Sequence, residues 1–230
     1  MKGNRRFVIY VPDESLLDES QLAVLSPIID KVSAFRRKSS KAATRKLADR
    51  PLEFAEDRFY KSEKKIFVPQ LQSEGRDFIM CGIFPGDILT IAPHFDIPTC
   101  ESFPFSLLSS RLHLVWIATV CGKLETRYRY SNTLGWNTFP VPTLTEQNKT
   151  DLTRCAEDIL LAREQYFPAT IADMYDPERM DKEFPLVREA HERNDEVLER
   201  IYIGRRFKND TERLEKLFEL YTKMTAPKSS

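Results

Sequence analysis

Two kinds of hydrophobic periodicity divide the chain near Pro142 and limit the folds that it can adopt. Before this proline, short β-branched or aromatic runs alternate with turn residues and helical stretches, as in a mixed sheet flanked by helices. After it, three apolar stripes recur at the helical period, separated by breaks that contain Pro or Gly. The pattern predicts an α+β chain: a mixed-sheet domain over residues 1–142, a small α-helical bundle over residues 143–225 and a disordered tail over residues 226–230.

The first part of the chain contains candidate strands and two candidate helices. One helix is predicted to begin at Pro27, in the first-turn position that proline favours, with Val32 and Phe35 on one face. A second helix is predicted from Ser106 to Gly122, with Gly122 as its left-handed cap. The candidate strands are short apolar runs bounded by turn residues, namely Phe7–Val11, Ile66–Val68, Phe78–Phe84 and Ile88–Ala92.

The three helices of the second part are predicted from their stripes and caps. Thr143 and Glu146 form a predicted capping box for the first helix, and Asp210 is the predicted cap of the third. Each stripe places apolar side chains on one helical face, which favours a bundle. The stripes comprise Leu152, Cys155, Ala156, Ile159 and Leu160, then Val187, Ala190, His191, Asn194, Val197, Leu198, Ile201 and Tyr202, then Leu214, Leu217, Phe218 and Tyr221.

Charge and cysteine usage restrict the class of protein. The 35 Lys+Arg and 35 Asp+Glu cancel, so net charge alone predicts neither a nucleic acid nor a membrane as a partner. Residues 1–150 hold 21 basic against 17 acidic side chains, whereas residues 151–220 hold 12 against 18. No C-x-x-C pair and no cysteine–histidine cluster occurs, which argues against a zinc site and a disulfide framework. Without a membrane-length apolar stretch or a signal peptide, the sequence predicts a cytoplasmic chain.

A basic run extends over Lys31–Lys46 and holds seven Lys or Arg without an acidic residue. Such side chains bind phosphate oxygens, which give affinity without sequence information. The run also suits a solvated helix end whose cations complement the helix dipole, and taken alone it favours that second interpretation. The candidate phosphate-binding residues in it are Arg36, Arg37, Lys38, Lys41, Arg45 and Lys46.

The segment KLETRYRYS alternates arginines with tyrosines. On a strand, this alternation places Arg127 and Arg129 on one face and Tyr128 and Tyr130 on the other. Glu125 would share the arginine face. In a major groove, arginine pairs with guanine and glutamate accepts from the amine of cytosine, so Glu125 and Arg127 could read one base pair. A cross-strand salt bridge on a half-exposed sheet explains the same residues equally well.

Other chemically suggestive residues favour structural interpretations. His191 and Asp195 have a spacing that suits acid–base or metal chemistry, but His191 lies on an apolar stripe, as core histidines do. The run EKK from Glu63 matches half of a nuclease motif and is attributed to chance. Arg111 can reach a phosphate or lie on a helix surface.

Motifs of a complete active site are absent from the sequence. It contains no G-x-G-x-x-G, no Walker lysine loop and no G-x-S-x-G elbow. It also lacks the Asn-Pro-Pro-Tyr or Asp-Pro-Pro-Tyr signature of amino-methyltransferases. We therefore expect the segment to be inactive as a catalyst by itself.

Four blocks of sequence follow one another in a distinctive order, namely LADRPLEFAE (47–56), SSRLHLVWIATVCGKLETRYRYSNTLGWNTFPVP (109–142), ILLAREQYFPATIADMYDPERM (159–180) and AHERNDEVLERIY (190–202). In content and order they resemble the C-terminal part of the MmeI-like family of bacterial type II restriction-modification enzymes. Members of that family are single chains that combine an endonuclease with an adenine-N6 DNA methyltransferase. The resemblance covers most of the chain, and its motifs are fairly specific.

The resemblance implies that residues 1–142 are a target-recognition domain for double-stranded DNA and that the remainder is the family's C-terminal helical domain. It also implies that Glu125 and Arg127 occupy a base-reading position, where Glu plus Arg suits a C·G pair. Val141 departs from the family, which usually has Trp there. The implied framework or backbone-contact residues, together with the scattered cations, are Arg36, Arg37, Lys38, Lys41, Arg45, Lys46, Arg76, Arg111, Tyr128, Arg129, Tyr130 and Asn137.

Cofactors and partners follow from the same resemblance. Parent enzymes use S-adenosylmethionine, and Mg²⁺ where a nuclease is present, through residues upstream of this segment. We therefore expect neither to bind here, and we expect an upstream methyltransferase domain as a partner, in cis or, if the gene is split, in trans. Two other hypotheses stay open: a protein-interaction scaffold that never contacts DNA, and an independent nuclease that uses Glu63.

Overall fold

The computed structural model describes residues 8–11, 14–55, 62–90 and 93–226. They belong to two compact units, one within residues 4–58 and a larger one that begins at residue 59. Helices dominate both units, and the strands are short and antiparallel, which confirms the α+β class. Within the described ranges, no helix is both long enough and apolar enough to cross a bilayer.

The smaller unit contains a 3₁₀ turn at Glu14–Leu16, helix α1 at Glu19–Arg37 and helix α2 at Ala42–Lys46. The predicted start at Pro27 is wrong, because the side chains of Asp18 and Gln21 form a capping box that begins α1 earlier. Pro27 therefore lies inside the helix. The side chain of Phe35, which the periodicity places on one face with Val32, is 75% exposed.

The larger unit has six described strands: β1 at Lys64–Pro69, β2 at Leu71–Gln72, β3 at Gly82–Pro85, β4 at His94–Thr99, β5 at Lys123–Leu124 and β6 at Arg127–Arg129. They form two three-stranded sheets, in the orders β3-β1-β4 and β2-β6-β5. The chain passes from the first sheet into the second at Gln70, whose carbonyl accepts a hydrogen bond of 2.7 Å from the Tyr130 backbone.

The strand predictions were only partly right. The run Ile66–Val68 lies in β1, as predicted, but Phe78–Phe84 becomes a strand only from Gly82. Residues 78–81 are buried without pairing, since apolar side chains can fill a core from irregular backbone. Residues 8–11 and 88–90 form no strand, while Phe7, Ile91 and Ala92 lie outside the described residues. Strand β4 was missed, because Asp96 and Pro98 weaken its β signal.

The helices of the larger unit begin with α3 at Phe103–Leu108 and α4 at Arg111–Val120, where one continuous helix was predicted. The chain breaks there because the Ser110 side chain accepts from the His113 backbone and caps α4. Gly122 is not a left-handed cap; α4 ends at Cys121 in extended conformation. A π-helical turn follows at Asn132–Trp136.

Three long helices follow Pro142, as predicted, with two short ones between them. They are α5 at Glu146–Glu164, α6 at Ile171–Met174, α7 at Met180–Glu183, α8 at Pro185–Ile203 and α9 at Asp210–Thr225. Both predicted caps are shifted: Thr145 and Asn148 form the capping box of α5, and Asn209 caps α9. Gly204 ends α8 with a φ of 76°, the left-handed conformation that glycine adopts without strain.

The larger unit has two hydrophobic clusters, and each draws on residues before and after Pro142. Ile66 and Ile159 belong to one cluster, and Trp116 and Leu217 to the other, against which Val141 packs. Residues 62–142 and 143–226 therefore share their cores. The functional boundary at Pro142 stays a prediction, as does the disordered tail, of which residues 227–230 lie outside the described ranges.

Candidate nucleic-acid interface

An exposed hairpin of β5 and β6 presents the residues that the sequence singled out as base readers. Leu124 pairs with Arg127, so Glu125 and Thr126 form a two-residue turn. Glu125 has a φ of 58°, the left-handed region that costs a residue with a Cβ about 1–2 kcal/mol. Glycine would fit this position without strain, so backbone geometry does not explain why a glutamate occupies it.

Glu125 and Arg127 do meet, although not by strand alternation. The predicted shared strand face is wrong for Glu125, because that residue lies in the turn. The turn brings its Oε2 to 2.6 Å from Nη2 of Arg127, and their side chains are 73% and 43% exposed. Exposed ion pairs contribute only about 0–1 kcal/mol, so a competing partner can rearrange this one at low cost.

Beyond the turn, the predicted alternation is seen from Tyr128 to Tyr130, whereas Arg127 is half-buried like Tyr128. Arg129 is exposed, Tyr128 is half-buried and Tyr130 is buried at 1% exposure. The Arg129 side chain has no hydrogen bond or ion pair with any residue in the described ranges. Lys123 lies over the Tyr128 ring, 5.2 Å from its centroid. The hairpin thus offers the unpaired guanidinium of Arg129 to a ligand, while Tyr130 packs in the core.

The layer beneath the hairpin is tightly packed. The Tyr130 hydroxyl lies 3.0 Å from Nε2 of His113 on α4. A Cβ at Gly135 would lie 3.2 Å from Cys121 Sγ and 3.5 Å from Tyr130, so the π-helical turn packs closely on both side chains there. Asn137 follows the turn and is exposed. In the sequence, His113 is only a polar position on an otherwise apolar helix, and its partner Tyr130 lies 17 residues further along the chain.

The basic run of the smaller unit divides into engaged arginines and free lysines. Arg36 donates to the carbonyls of Leu47, Arg50 and Glu53 at 2.7–2.8 Å. Arg45 donates to two further carbonyls, and Arg37 pairs with Asp49 at 3.4 Å. These arginines stabilise the connection between α1 and α2. Four exposed lysines of the run form no side-chain hydrogen bond or ion pair with a described residue, namely Lys31, Lys38, Lys41 and Lys46.

Arg76 and Arg111 also serve the fold of the larger unit. Arg76 donates from Nε to the Tyr175 carbonyl at 3.0 Å. Arg111 binds both carboxylate oxygens of Asp210 on α9, at 3.2 and 2.6 Å. Their proposed contacts with a DNA backbone therefore stay predictions, and the fold already uses both guanidinium groups.

His191 is a core histidine, as its position on the apolar stripe predicted. It is fully buried, stacks on Phe78 with centroids 4.2 Å apart and has a lowered pKa because burial disfavours its charged form. Glu63 is exposed, and the neighbouring Lys65 is buried 3.2 Å from Asp96. In the described part of the chain, no three His, Cys, Asp or Glu side chains are grouped to hold a metal ion.

Burial of His113 predicts a specific loss of stability in acid. Burial lowers its pKa to about 3, against about 6.5 in an unfolded chain. Between these values the unfolded chain binds a proton that the folded chain cannot, so stability falls as pH falls. As the pH is lowered from about 6 to 4, the free energy of unfolding should fall in both proteins. We expect it to fall by about 1.4 kcal/mol per pH unit more in the native protein than in His113→Gln. Urea denaturation at several pH values measures both slopes, and equal slopes would contradict a buried neutral imidazole.

Two small sheets, one of which carries an exposed, charged hairpin, are followed by long helices, as in a recognition domain joined to a C-terminal helical domain. The model of the MmeI target recognition domain matches residues 1–143, and the model of the MmeI C-terminal domain matches residues 144–227. The chain therefore belongs to the MmeI family, which confirms the resemblance seen in the sequence.

Two known proteins show the extent of this relationship. DNA methyltransferase A of Bacillus subtilis (strain 168) is 37% identical over 190 residues, which cover 83% of this chain and 21% of that protein. The solved structure of the type IIL restriction-modification enzyme MmeI in complex with DNA matches with a TM-score of 0.82 and 33% identity. That match covers 91% of this chain and 28% of the MmeI chain. The present chain thus spans about a quarter of its relatives.

Proposed function

We propose that this chain is the module that recognises a specific double-stranded DNA sequence for an adenine-N6 DNA methyltransferase of the restriction-modification type. The observation that carries the proposal is the exposed pair of Glu125 and Arg127, held 2.6 Å apart at the tip of the hairpin. Their acceptor and donor atoms suit the cytosine amine and the guanine edge of one base pair. The relationship to MmeI, which was solved with DNA, supports the same function.

The two family segments have separate roles in this proposal. Residues 1–142 read the sequence, and the helical part from residue 143 supports them and helps to hold the duplex. S-adenosylmethionine, and Mg²⁺ where a nuclease is present, act in an upstream methyltransferase or nuclease part of the parent enzyme. The chain by itself is a cytoplasmic DNA-binding protein without catalytic activity.

Selection from a randomised duplex library tests this function with the 230-residue chain. The chain should enrich one short sequence, and its affinity should fall as salt rises, because bound cations release counterions from the phosphates. A protein-interaction scaffold would enrich no sequence and show no salt-dependent binding. Metal-dependent cleavage of the library by this chain would instead support the nuclease hypothesis and overturn the proposal.

The free lysines of the basic run predict a second result. Replacing Lys38, Lys41 and Lys46 by Ala should weaken binding to all duplexes about equally, because phosphate contacts carry no sequence information. The slope of log K against log salt should become less steep by about 2–3, at about 0.9 for each lost phosphate contact. Fluorescence anisotropy between about 50 and 200 mM salt measures this slope.

A matched control removes the same charge from the helical part. The triple variant Lys182→Ala, Lys216→Ala and Lys223→Ala also loses three cations, of which Lys216 and Lys223 are paired with Glu219. Because Glu219 already pairs with two of these lysines, its slope should change by less than the slope of the first triple variant. Equal slopes for both triple variants would show that the basic run does not contact the phosphates.

A further inference from the structure

Tyr130 anchors the hairpin at the end of β6. The residue follows the strand directly, its backbone donates to the Gln70 carbonyl at 2.7 Å, and its hydroxyl lies 3.0 Å from Nε2 of His113. Both its backbone and its side chain are thereby held. Arg127, at the other end of β6, is three residues away along the extended strand.

The regular pairing around β6 is short. Strand β6 pairs over two residues with β2 and over two residues with β5, so the ladders alone provide few hydrogen bonds. Short strands of this kind are marginally stable without packing against a layer beneath. The position of β6 therefore depends strongly on the side chain that fixes it from below, which is Tyr130.

A polar histidine is an unusual choice for the place that His113 occupies. It is fully buried, and aromatic rings surround it: Phe139 at 4.5 Å, Tyr130 at 5.7 Å and Trp136 at 5.9 Å between centroids. In the described ranges, Nδ1 has no hydrogen-bond partner, so the contact with Tyr130 is the one that satisfies the ring. An apolar side chain would fill this site without the cost of burying a polar group. The hydrogen bond gives a direction that apolar packing lacks.

We propose that His113 is a positioning residue for sequence readout, which through the Tyr130 hydroxyl sets the height and register of β6 and so aims the Glu125–Arg127 pair. The proposal rests on the function proposed above. His113 itself touches no base; it acts through Tyr130. Loss of the hydrogen bond lets β6 shift, which weakens contacts that need exact geometry with base edges and spares contacts with phosphates.

The ratio of affinities for duplexes that differ in one base pair tests the proposal better than the affinity for a single duplex. The probes are the duplex that the native chain enriches and three duplexes that differ from it at the one base pair to which Glu125 and Arg127 respond. Tyr130→Phe keeps the ring and removes the hydroxyl. A good bidentate contact gives an affinity ratio of roughly 5- to 150-fold between the enriched duplex and its variants. We expect Tyr130→Phe to lower this ratio about fivefold. The salt slope should not change.

Two substitutions at His113 separate positioning from simple stability. His113→Gln places an amide near the Tyr130 hydroxyl and should keep the ratio within about twofold, whereas His113→Leu should lower it as Tyr130→Phe does. Circular dichroism identifies a temperature at which all variants are folded, and the affinities are compared at that temperature. A purely structural role would reduce all affinities by one factor and leave the ratio unchanged, and that result would overturn the inference.

Failure of the inference and failure of the proposed function look different in this experiment. If the native chain enriches no sequence, the proposed function fails and the inference fails with it. If the native chain enriches a sequence and both Tyr130→Phe and His113→Leu discriminate as well as it does, only the inference fails.

Discussion

Exchange of the two hairpin charges, Glu125→Arg with Arg127→Glu, is expected to reverse the base pair that the chain prefers at one position of its site. Arginine pairs bidentately with guanine and glutamate accepts from the cytosine amine, so the exchanged pair suits the opposite orientation of the same base pair. Each good contact of this kind contributes about 1–3 kcal/mol of discrimination, so the preference should change by at least tenfold.

The exchange also separates readout from a purely structural salt bridge. Opposite charges remain at both positions, so the hairpin keeps its ion pair, which joins Oε2 of Glu125 to Nη2 of Arg127 at 2.6 Å in the native chain. If that bridge serves only the hairpin, the variant binds the same sequences as the native chain. Selection from a randomised library, followed by affinities for the four base pairs at the responding position, measures the outcome.

Glu125→Gly is the matched control for the turn. Glycine adopts the φ of 58° found at this residue without strain, so the hairpin should form at least as readily. The carboxylate is lost, and with it the discrimination that depends on it. Undiminished discrimination in a folded Glu125→Gly variant would remove Glu125 from the set of base readers.

Arg163→Ala is expected to destabilise the larger unit by about 3–5 kcal/mol. Arg163 lies on α5, is 6% exposed and donates from Nη1 to the Cys81 carbonyl at 2.8 Å. It also donates from Nε to the Tyr175 hydroxyl at 2.8 Å, and that hydroxyl contacts His191. In the described ranges no carboxylate pairs with it. Its removal leaves the Cys81 carbonyl without its guanidinium donor and opens a cavity where a large side chain packed.

The position of Arg163 makes this result informative about domain organisation. The side chain joins Cys81, before Pro142, to Tyr175, after it, and its guanidinium lies over the rings of Phe105 and Tyr175 at 5.3 and 4.9 Å. We expect the larger unit to unfold in a single cooperative transition with a lowered midpoint. Two separate transitions within that unit would show instead that its parts before and after Pro142 unfold independently.

Arg154 on the same helix provides the control. It is exposed and makes no ion pair with a described residue, so Arg154→Ala should change the free energy of unfolding by no more than about 0.5 kcal/mol. Urea denaturation of the two alanine variants compares the same chemical change in a buried and an exposed place. A loss below about 1 kcal/mol in Arg163→Ala would contradict the role given to the buried guanidinium.

The amphipathic stripes after Pro142 were sufficient to predict α5, α8 and α9, because their periodicity is local and regular. The family was also recognisable from sequence, since long blocks in order are specific. Caps were misplaced by one or two residues, as at Asn209, because several neighbouring polar residues can serve and the backbone selects one. The strands were harder, since short strands depend on partners that are distant in the chain.

The sequence by itself determined the α+β class and the family and singled out Glu125 and Arg127 as a pair, because these follow from local periodicity and from motif content. Only the tertiary structure decided that Glu125 meets Arg127 through a left-handed turn, that Arg36 and Arg111 are occupied by the fold, and that His113 lies beneath the hairpin. The reason is physical: a guanidinium or imidazole is defined by its partners, and those partners come from other elements that only folding brings within hydrogen-bond distance.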